Sequence, residues 1–375
     1  MSATQTVDVT AILEDLRGLV ETESPSSDSA ALHRSADAVD AMLLRRLGRE
    51  SDRVVLGSVP HLSSRWGTQT RTLLLAHHDT VWPLGTLRTT PFRVEDGVIT
   101  GPGCFDMKLG LVMAVHALAL VHGRRGMLDG IALLVTGDEE TGSMTSRDLI
   151  KRTAAHAEAV LVLEPSGDGG ALKTARKGTS GYRLEVTGRA AHAGLEPENG
   201  INAALALASL LPRIVALADP GVGTTVTPTT LLAGTSANTV PAFGWLDVDV
   251  RARTLAEQER VDQQIKQLTP DVSGASIVIT GGPNRPPLES RMTRDLFDTA
   301  VRAAQELGHV PLRSLAVGGA SDGNFTAAMG IPTLDGLGAV GGGAHAADEH
   351  ALVAWIEPRT RLLADLILRT LEDAA

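Results

Sequence analysis

An α/β fold with an inserted α+β domain follows from three observations on the 375-residue chain. Three short runs, at residues 72–76, 131–135 and 159–163, are apolar without a polar face. Central strands of a parallel sheet covered on both sides read this way. From Gly178 the grammar changes: residues 182–187, 224–232 and 245–251 alternate between apolar and polar, residues 276–280 are rich in β-branched side chains, and helical patterns lie at 201–217 and 255–268. That order of strand, helix, two strands, helix, strand describes a four-stranded antiparallel sheet with two helices on one face. A βα pattern then resumes. The chain is therefore read as a mostly parallel-sheet domain formed by residues 1–177 and 288–375, interrupted by an insert at 178–287. Its length already exceeds what one ordinary core takes up.

Composition narrows the function classes. Hydrophobic residues make up 43% and charged residues 21%, as in a soluble globular protein. A formal net charge of −10 without a basic run argues against nucleic acid or an anionic membrane as a partner. Aromatics at 3% leave little for stacking bases or sugars. The opening MSATQTVDVT has neither the basic nor the apolar part of a leader, and no run approaches about 18 uninterrupted apolar residues. A single cysteine, Cys104, permits no intrachain disulfide. A cytoplasmic location is the expectation.

Taken in order, Val9, Ile12, Leu16 and Val20 fall at helical spacing, and a second helical pattern runs from Asp28 through Leu44 after the break Ser24-Pro25-Ser26-Ser27. The run at 72–76 ends in His77-His78-Asp79-Thr80. Residues two apart share a face of an extended chain, so His77 and Asp79 point the same way at the carboxyl end of a strand, where open α/β sheets place their sites. A histidine beside a carboxylate fits a metal ligand with its orienting partner, and equally a satisfied core histidine. Asp106 stands where the apolar helix at 109–121 would start, which by itself reads as a helix cap. The spacing of a phosphate loop is missing there.

The strand at 131–135 runs into Gly137-Asp138-Glu139-Glu140-Thr141-Gly142. Successive side chains diverge at a strand end, so one of Glu139 and Glu140 can bind a metal while the other handles a proton. A helix at about 143–153 leads to the run at 159–163, closed by Glu164, a carboxylate that is costly to bury unless a cation pairs with it. His77, Glu139, Glu140 and Glu164 thus bring four metal-compatible groups to one edge of a sheet. Beyond the insert, a helix at 292–307 precedes Gly318-Gly319-Ala320-Ser321-Asp322-Gly323, a short strand at 332–335 and a glycine loop at 338–343 that leads into His345. Asp348 is read as the cap of a last helix running to about residue 371.

Seven motifs occur in one order: His77-His78-Asp79-Thr80-Val81, Gly101-Pro102-Gly103 through Lys108, Asp138-Glu139-Glu140, Glu164-Pro165, His192-Ala193-Gly194, Asn238-Thr239-Val240-Pro241, and Gly341-Gly342-Gly343-Ala344-His345. In that set and order, over almost its whole length, the chain resembles the zinc-dependent metallopeptidases that include bacterial glutamate carboxypeptidase, acetylornithine deacetylase and succinyl-diaminopimelate desuccinylase. The resemblance implies two divalent metal ions bridged by Asp106 and a water or hydroxide, zinc first, with cobalt or manganese able to share such ligands. His77 and Glu164 would complete the protein shell of one ion and Glu140 and His345 that of the other, each keeping an open position. Asp79 would orient His77, and Glu139 would be the general base. The insert resembles the family's lid and dimerisation domain. There His192 would reach the partner subunit's site and support the oxyanion, while Asn238, Arg251 and Arg285 would bind substrate, Arg251 by a bidentate hold on a carboxylate.

Cys104 then reads as a small buried residue beside the site. Leu109 departs from the family, which has Gly after Asp-x-Lys, and this bears on the acyl pocket. The function implied is hydrolysis of the amide bond of an N-acyl or dipeptide-like substrate with a free α-carboxylate, as in a glutamate carboxypeptidase, by a homodimer associating through the lid domain. A deacylase of the acetylornithine deacetylase or desuccinylase kind is the first alternative. A non-catalytic dimeric binding protein is the second, and the carboxylate cluster argues against it, because such a cluster is costly to keep without a cation.

Overall fold

The strand Thr72–His77 lies inside a six-stranded sheet, and all six of its residues are buried. The sheet order is Asp52–Leu56, Val59–Trp66, Ile131–Thr136, Thr72–His77, Ala159–Val162, Thr333–Leu334 in this computed structural model, which describes residues 6–372. The last four strands are parallel and the first two antiparallel. Alternate side chains serve different layers. Leu74, Ala76, Leu133 and Val135 join a core that includes residues of the helices Leu109–Arg125 and Ile356–Glu372, whereas Leu73, Leu75, Ala132 and Leu134 join Leu149, Ile150 and Phe325 in another. Both faces are dry, which is why these strands carry no polar face. The stretch Cys104–Arg125 is long and apolar enough to cross a membrane by length and composition, but 89% of its apolar window is buried, so packing accounts for its character.

Chain contacts divide the molecule into two compact units. One is the chain up to Ala175 with Ser290–Val317 and the chain from Ser321; the other is Arg176–Glu289 with Gly318–Ala320. In the second, Thr225–Ala233, Phe243–Ala252, Gly178–Thr187 and Ser276–Arg285 form, in that order, an antiparallel sheet. Tyr182, Leu184, Val186, Leu246, Val248 and Val250 point to one face and pack with Leu207 and Leu210 of the helix Ala203–Val215 and Val261 and Ile265 of the helix Leu255–Lys266. The intervening residues form the outer face. Arg176 ties Gly318–Ala320 to this unit by donating from Nη1 to the carbonyls of Gly319 and Ala320 at 3.2 and 3.4 Å.

Two local readings need correction, and one element went unread. The helix read at about 143–153 begins at Arg147, because the Asp138 carboxylate holds the preceding turn through Thr145 N–H at 2.7 Å and the Ser146 hydroxyl at 2.5 Å. Asp348 caps no helix: His350–Leu352 is a strand pairing with Val98–Thr100, and the last helix starts at Ile356. The hairpin Asp52–Leu56 and Val59–Trp66 has no counterpart in the sequence reading. It turns on Gly57 and Ser58, both with positive φ, the backbone that two-residue hairpin loops require.

Candidate metal centre

Parallel pairing brings three strand ends into line, with His77 beside Thr136 and Leu75 beside Val162. His77 closes the inner strand, Glu139 and Glu140 follow Thr136 in a short 3₁₀ turn, and Glu164 follows Val162. His77 Nε2 lies 3.4 Å from Asp106 Oδ1 and 3.5 Å from Glu164 Oε1. His345 Nε2 lies 3.0 Å from Glu140 Oε2 and 3.5 Å from Asp106 Oδ2. Asp106 therefore faces both imidazoles, one with each oxygen. Ligand atoms of His77, Asp106 and Glu140 lie within 4.8 Å of one another, as do those of His77, Glu139 and Glu164. His77, Asp106, Glu139, Glu140, Glu164 and His345 meet in one place.

Backbone detail sets the directions of these groups. His77 Nδ1 lies 3.0 Å from the Asp79 carbonyl and 3.4 Å from its carboxylate. With the proton on Nδ1 donated there, Nε2 is left to face Asp106 and Glu164. The fully buried Asp79 carboxylate also accepts the N–H groups of Glu139 and Glu140, each at 3.2 Å, and the Ser26 hydroxyl at 2.7 Å. Asp79 thus orients His77 and pins the acidic turn in the same act. Asp106 has φ −112 and ψ 98, lies in an irregular turn over Cys104–Lys108, and does not cap the helix that follows, which excludes the helix-cap reading. His345 takes φ +61 after Gly343, where an added Cβ would meet the Asp348 carbonyl at 2.6 Å, so the turn that presents His345 needs glycine.

Charges are crowded. Burial opposes a charge on His77, but the carboxylates of Asp106, Asp79 and Glu164 override it and hold its pKa well above the ordinary value. Hydrogen bonds to Asp106 and Glu140 push His345 up to about 10. Burial pushes the Glu140 carboxyl up, while the two imidazoles hold Asp106, despite its burial, well below the usual range. His77 Nε2 and Asp106 Oδ1 are buried and have no hydrogen-bond partner among the described residues. Four carboxylates against two imidazoles, with orphaned donor atoms turned toward one another, fit divalent cations and a nitrogen-and-oxygen donor set.

Other groups near the centre are structural. His78 is held between the Ser35 hydroxyl and the Pro60 carbonyl, each at 3.1 Å, and burial lowers it to about 4, so it is a neutral core histidine. Cys104 is buried, and burial pushes its thiol up, away from thiolate chemistry. Leu109 is 1% exposed and belongs to the core. Two residues were given no role by the sequence. Lys108 is buried with Nζ donating to the carbonyls of Leu19 and Thr22, and burial brings it down to about 8. Glu349 is buried beneath the Asp106 loop.

The second unit holds the remaining candidates. His192 is exposed, and its Nδ1 accepts the N–H groups of Gly194 and Leu195, both at 3.1 Å, so Nε2 carries the proton and presents it outward. Asn238 adjoins it, accepting the Ala193 N–H at 2.9 Å. Arg251 lies on the outer face of the sheet in a bidentate pair with Asp249, with Nε and Nη2 each 2.9 Å from a carboxylate oxygen. Burial lowers the nearby Lys177 ammonium, helped by the positive charges of Arg253 and Arg251, so three cations adjoin there. Arg285 ends its strand at 7% exposure, its carbonyl accepting from Gln258 at 3.0 Å.

A parallel-sheet edge that gathers two imidazoles and three further carboxylates around Asp106 fits the metal centre of a metallohydrolase. Peptidase family M20/M25/M40 matches residues 73–369, and the chain belongs to that family. It is 31% identical over 374 residues to carboxypeptidase G2 of Pseudomonas sp. (strain RS-16), covering 96% of this chain and 89% of that protein. It is 29% identical over 356 residues to the succinyl-diaminopimelate desuccinylase of Acinetobacter baylyi, covering 90% and 92%. An M20 family metallo-carboxypeptidase of Sulfolobus solfataricus shares the fold with a TM-score of 0.75 at 14% identity, over 96% of this chain and 98% of that one.

Proposed function

We propose that the protein hydrolyses the amide bond of an N-acyl or peptidyl amino acid with a free α-carboxylate, in the manner of a glutamate carboxypeptidase. The observation that carries this is the position of Glu139 beside His77 and Glu164, next in sequence to Glu140. Two divalent cations, zinc by preference, held by His77, Asp106, Glu140, Glu164 and His345, would polarise the amide carbonyl and acidify a water. Glu139 takes the proton from the attacking water and returns it to the leaving nitrogen. Asp79 keeps Glu139 in place through its backbone N–H. His192 offers Nε2–H to the developing oxyanion, and Arg251, in a neighbourhood already positive through Lys177 and Arg253, takes the substrate carboxylate in place of Asp249. The 31% identity to carboxypeptidase G2 across nearly both chains supports this substrate class.

A panel of N-acyl amino acids, dipeptides and their α-amides tests the reading, with released amine measured with and without chelator. Free acids are expected to turn over and α-amides to be poor, and Arg251→Ala should lower kcat/KM on acids by roughly 10-fold to 100-fold, the size of a hydrogen bond to a charged group. Equal rates on acid and amide would reject the clamp. The desuccinylase relative keeps a second reading in play. Preference for N-succinyl-diaminopimelate or N-acetylornithine over acyl glutamates decides for it.

The same reading makes the protein a homodimer that associates through the unit Arg176–Glu289, with His192 completing the partner's site. Exposed Leu231 and Leu232 on the edge strand Thr225–Ala233 support this, because an apolar edge strand seeks pairing. Mixing His192→Ala with Glu139→Gln under subunit exchange should yield heterodimers in which one site lacks both groups and the other keeps both, and hence partial activity. If mass analysis shows exchange and activity stays absent, each chain supplies its own His192.

A further inference from the structure

Glu349 is 3% exposed, and its carboxylate is filled by donors from elsewhere in the fold. Oε2 accepts the Trp82 indole N–H at 2.6 Å and the Gly103 N–H at 2.9 Å, while Oε1 accepts the N–H groups of Phe105 and Asp106, both at 3.0 Å. Three of the four donors are main-chain groups of the turn that carries Asp106. That turn is irregular: Gly103 has φ +73, Asp106 is non-helical, and its main-chain bonds include Cys104 N–H to the Gly101 carbonyl and Lys108 N–H to the Gly103 carbonyl. Successive N–H groups curled around one anion make a nest, here closed by a side chain of the protein itself.

We infer that Glu349 is a positioning residue of the metal centre, setting the place of Asp106 and coupling it to His345. This rests on the reading of His77, Asp106, Glu140, Glu164 and His345 as a metal site. Glu349 follows His345 by four residues, and its own N–H donates to the Ala346 carbonyl at 3.0 Å, so the turn that presents His345 is continuous with the residue that holds Asp106. Asp106 Oδ1 and Oδ2 lie 3.4 and 3.5 Å from the two imidazoles, so any shift of its backbone is felt at both. A carboxylate suits this place because it is acceptor-only, two lone-pair sites at each oxygen meeting two donors. An amide of the same shape would turn its NH₂ group toward two of those donors. Burial pushes the Glu349 carboxyl up against the pull of its four donors, and an apolar side chain would leave those four donors unpaired.

The test is zinc titration of chelator-stripped wild type, Glu349→Gln and Trp82→Phe against a chromophoric competitor, with circular dichroism and Tm recorded for each. Wild type should take up two ions. Glu349→Gln should bind them about 10-fold to 100-fold more weakly, the range seen when partners of metal ligands are changed. Trp82→Phe, which keeps the three main-chain donors, should shift affinity in the same direction by a smaller factor. Unchanged zinc affinity with a lowered Tm in Glu349→Gln gives the residue a merely structural role and overturns the inference. If Glu349→Gln does not fold, Trp82→Phe decides, and unchanged affinity there overturns it equally. A folded wild type that takes up no ion overturns the metal-site reading itself and this inference with it.

Discussion

Glu139→Gln is expected to retain its metal and to lose turnover by about 100-fold to 10,000-fold, the range for a lost general base. Glu139 is 7% exposed, and its N–H is fixed on Asp79, so glutamine fits the same space with the same main-chain anchor. What changes is the ability to accept a proton. The neighbouring geometry makes the experiment decisive between two roles, because a Glu139 carboxylate oxygen lies within 4.8 Å of the candidate ligand atoms of His77 and Glu164. If the variant binds fewer ions than wild type, Glu139 is a ligand and not the base. If it binds two and kcat stays near wild type, proton transfer belongs to another group. Metal content and kcat on one sample settle the question together.

Much of this arrangement was legible in the sequence, and the reason is burial. Leu73 and Leu74 point to opposite cores, so a strand between two helix layers must be apolar at every position, and the charged residue that ends it is conspicuous. His77, Glu139, Glu140 and Glu164 were singled out in this way. Position in space beyond the strand ends was not legible. Glu349 acts on main-chain N–H groups, which carry no residue identity, so nothing in Ala346-Ala347-Asp348-Glu349 announces its partners. Asp79 was assigned to His77 from their spacing, yet its bonds to Glu139 and Glu140 cross between strands and depend on the sheet order. The Arg251 pair is different. Asp249 and Arg251 are two apart on a strand and therefore share a face, so a competing internal carboxylate was predictable from the alternation that located Arg251.

Asp106→Ala is expected to abolish binding of both ions and to leave no activity that added metal restores, a loss of at least about 1,000-fold, equivalent to roughly 4 kcal/mol of transition-state stabilisation. Each oxygen of Asp106 faces a different imidazole, so removing the side chain strips one ligand from both halves of the centre at once, whereas loss of His77 or His345 strips one from a single half. Chelated wild type should behave differently, regaining activity with zinc and, to degrees that identify the working metal, with cobalt or manganese. Stability gives an independent reading. An ion that binds only the folded chain stabilises it by about 4 kcal/mol at a thousand times its dissociation constant, so wild-type Tm should climb with zinc while that of Asp106→Ala stays flat. In the variant one carboxylate is gone from a crowded anionic cluster, and its Tm without zinc should not fall below that of chelated wild type by the same margin. Activity in chelated wild type, or two ions bound by Asp106→Ala, would remove Asp106 from the shared position and with it the dinuclear reading of this sheet edge.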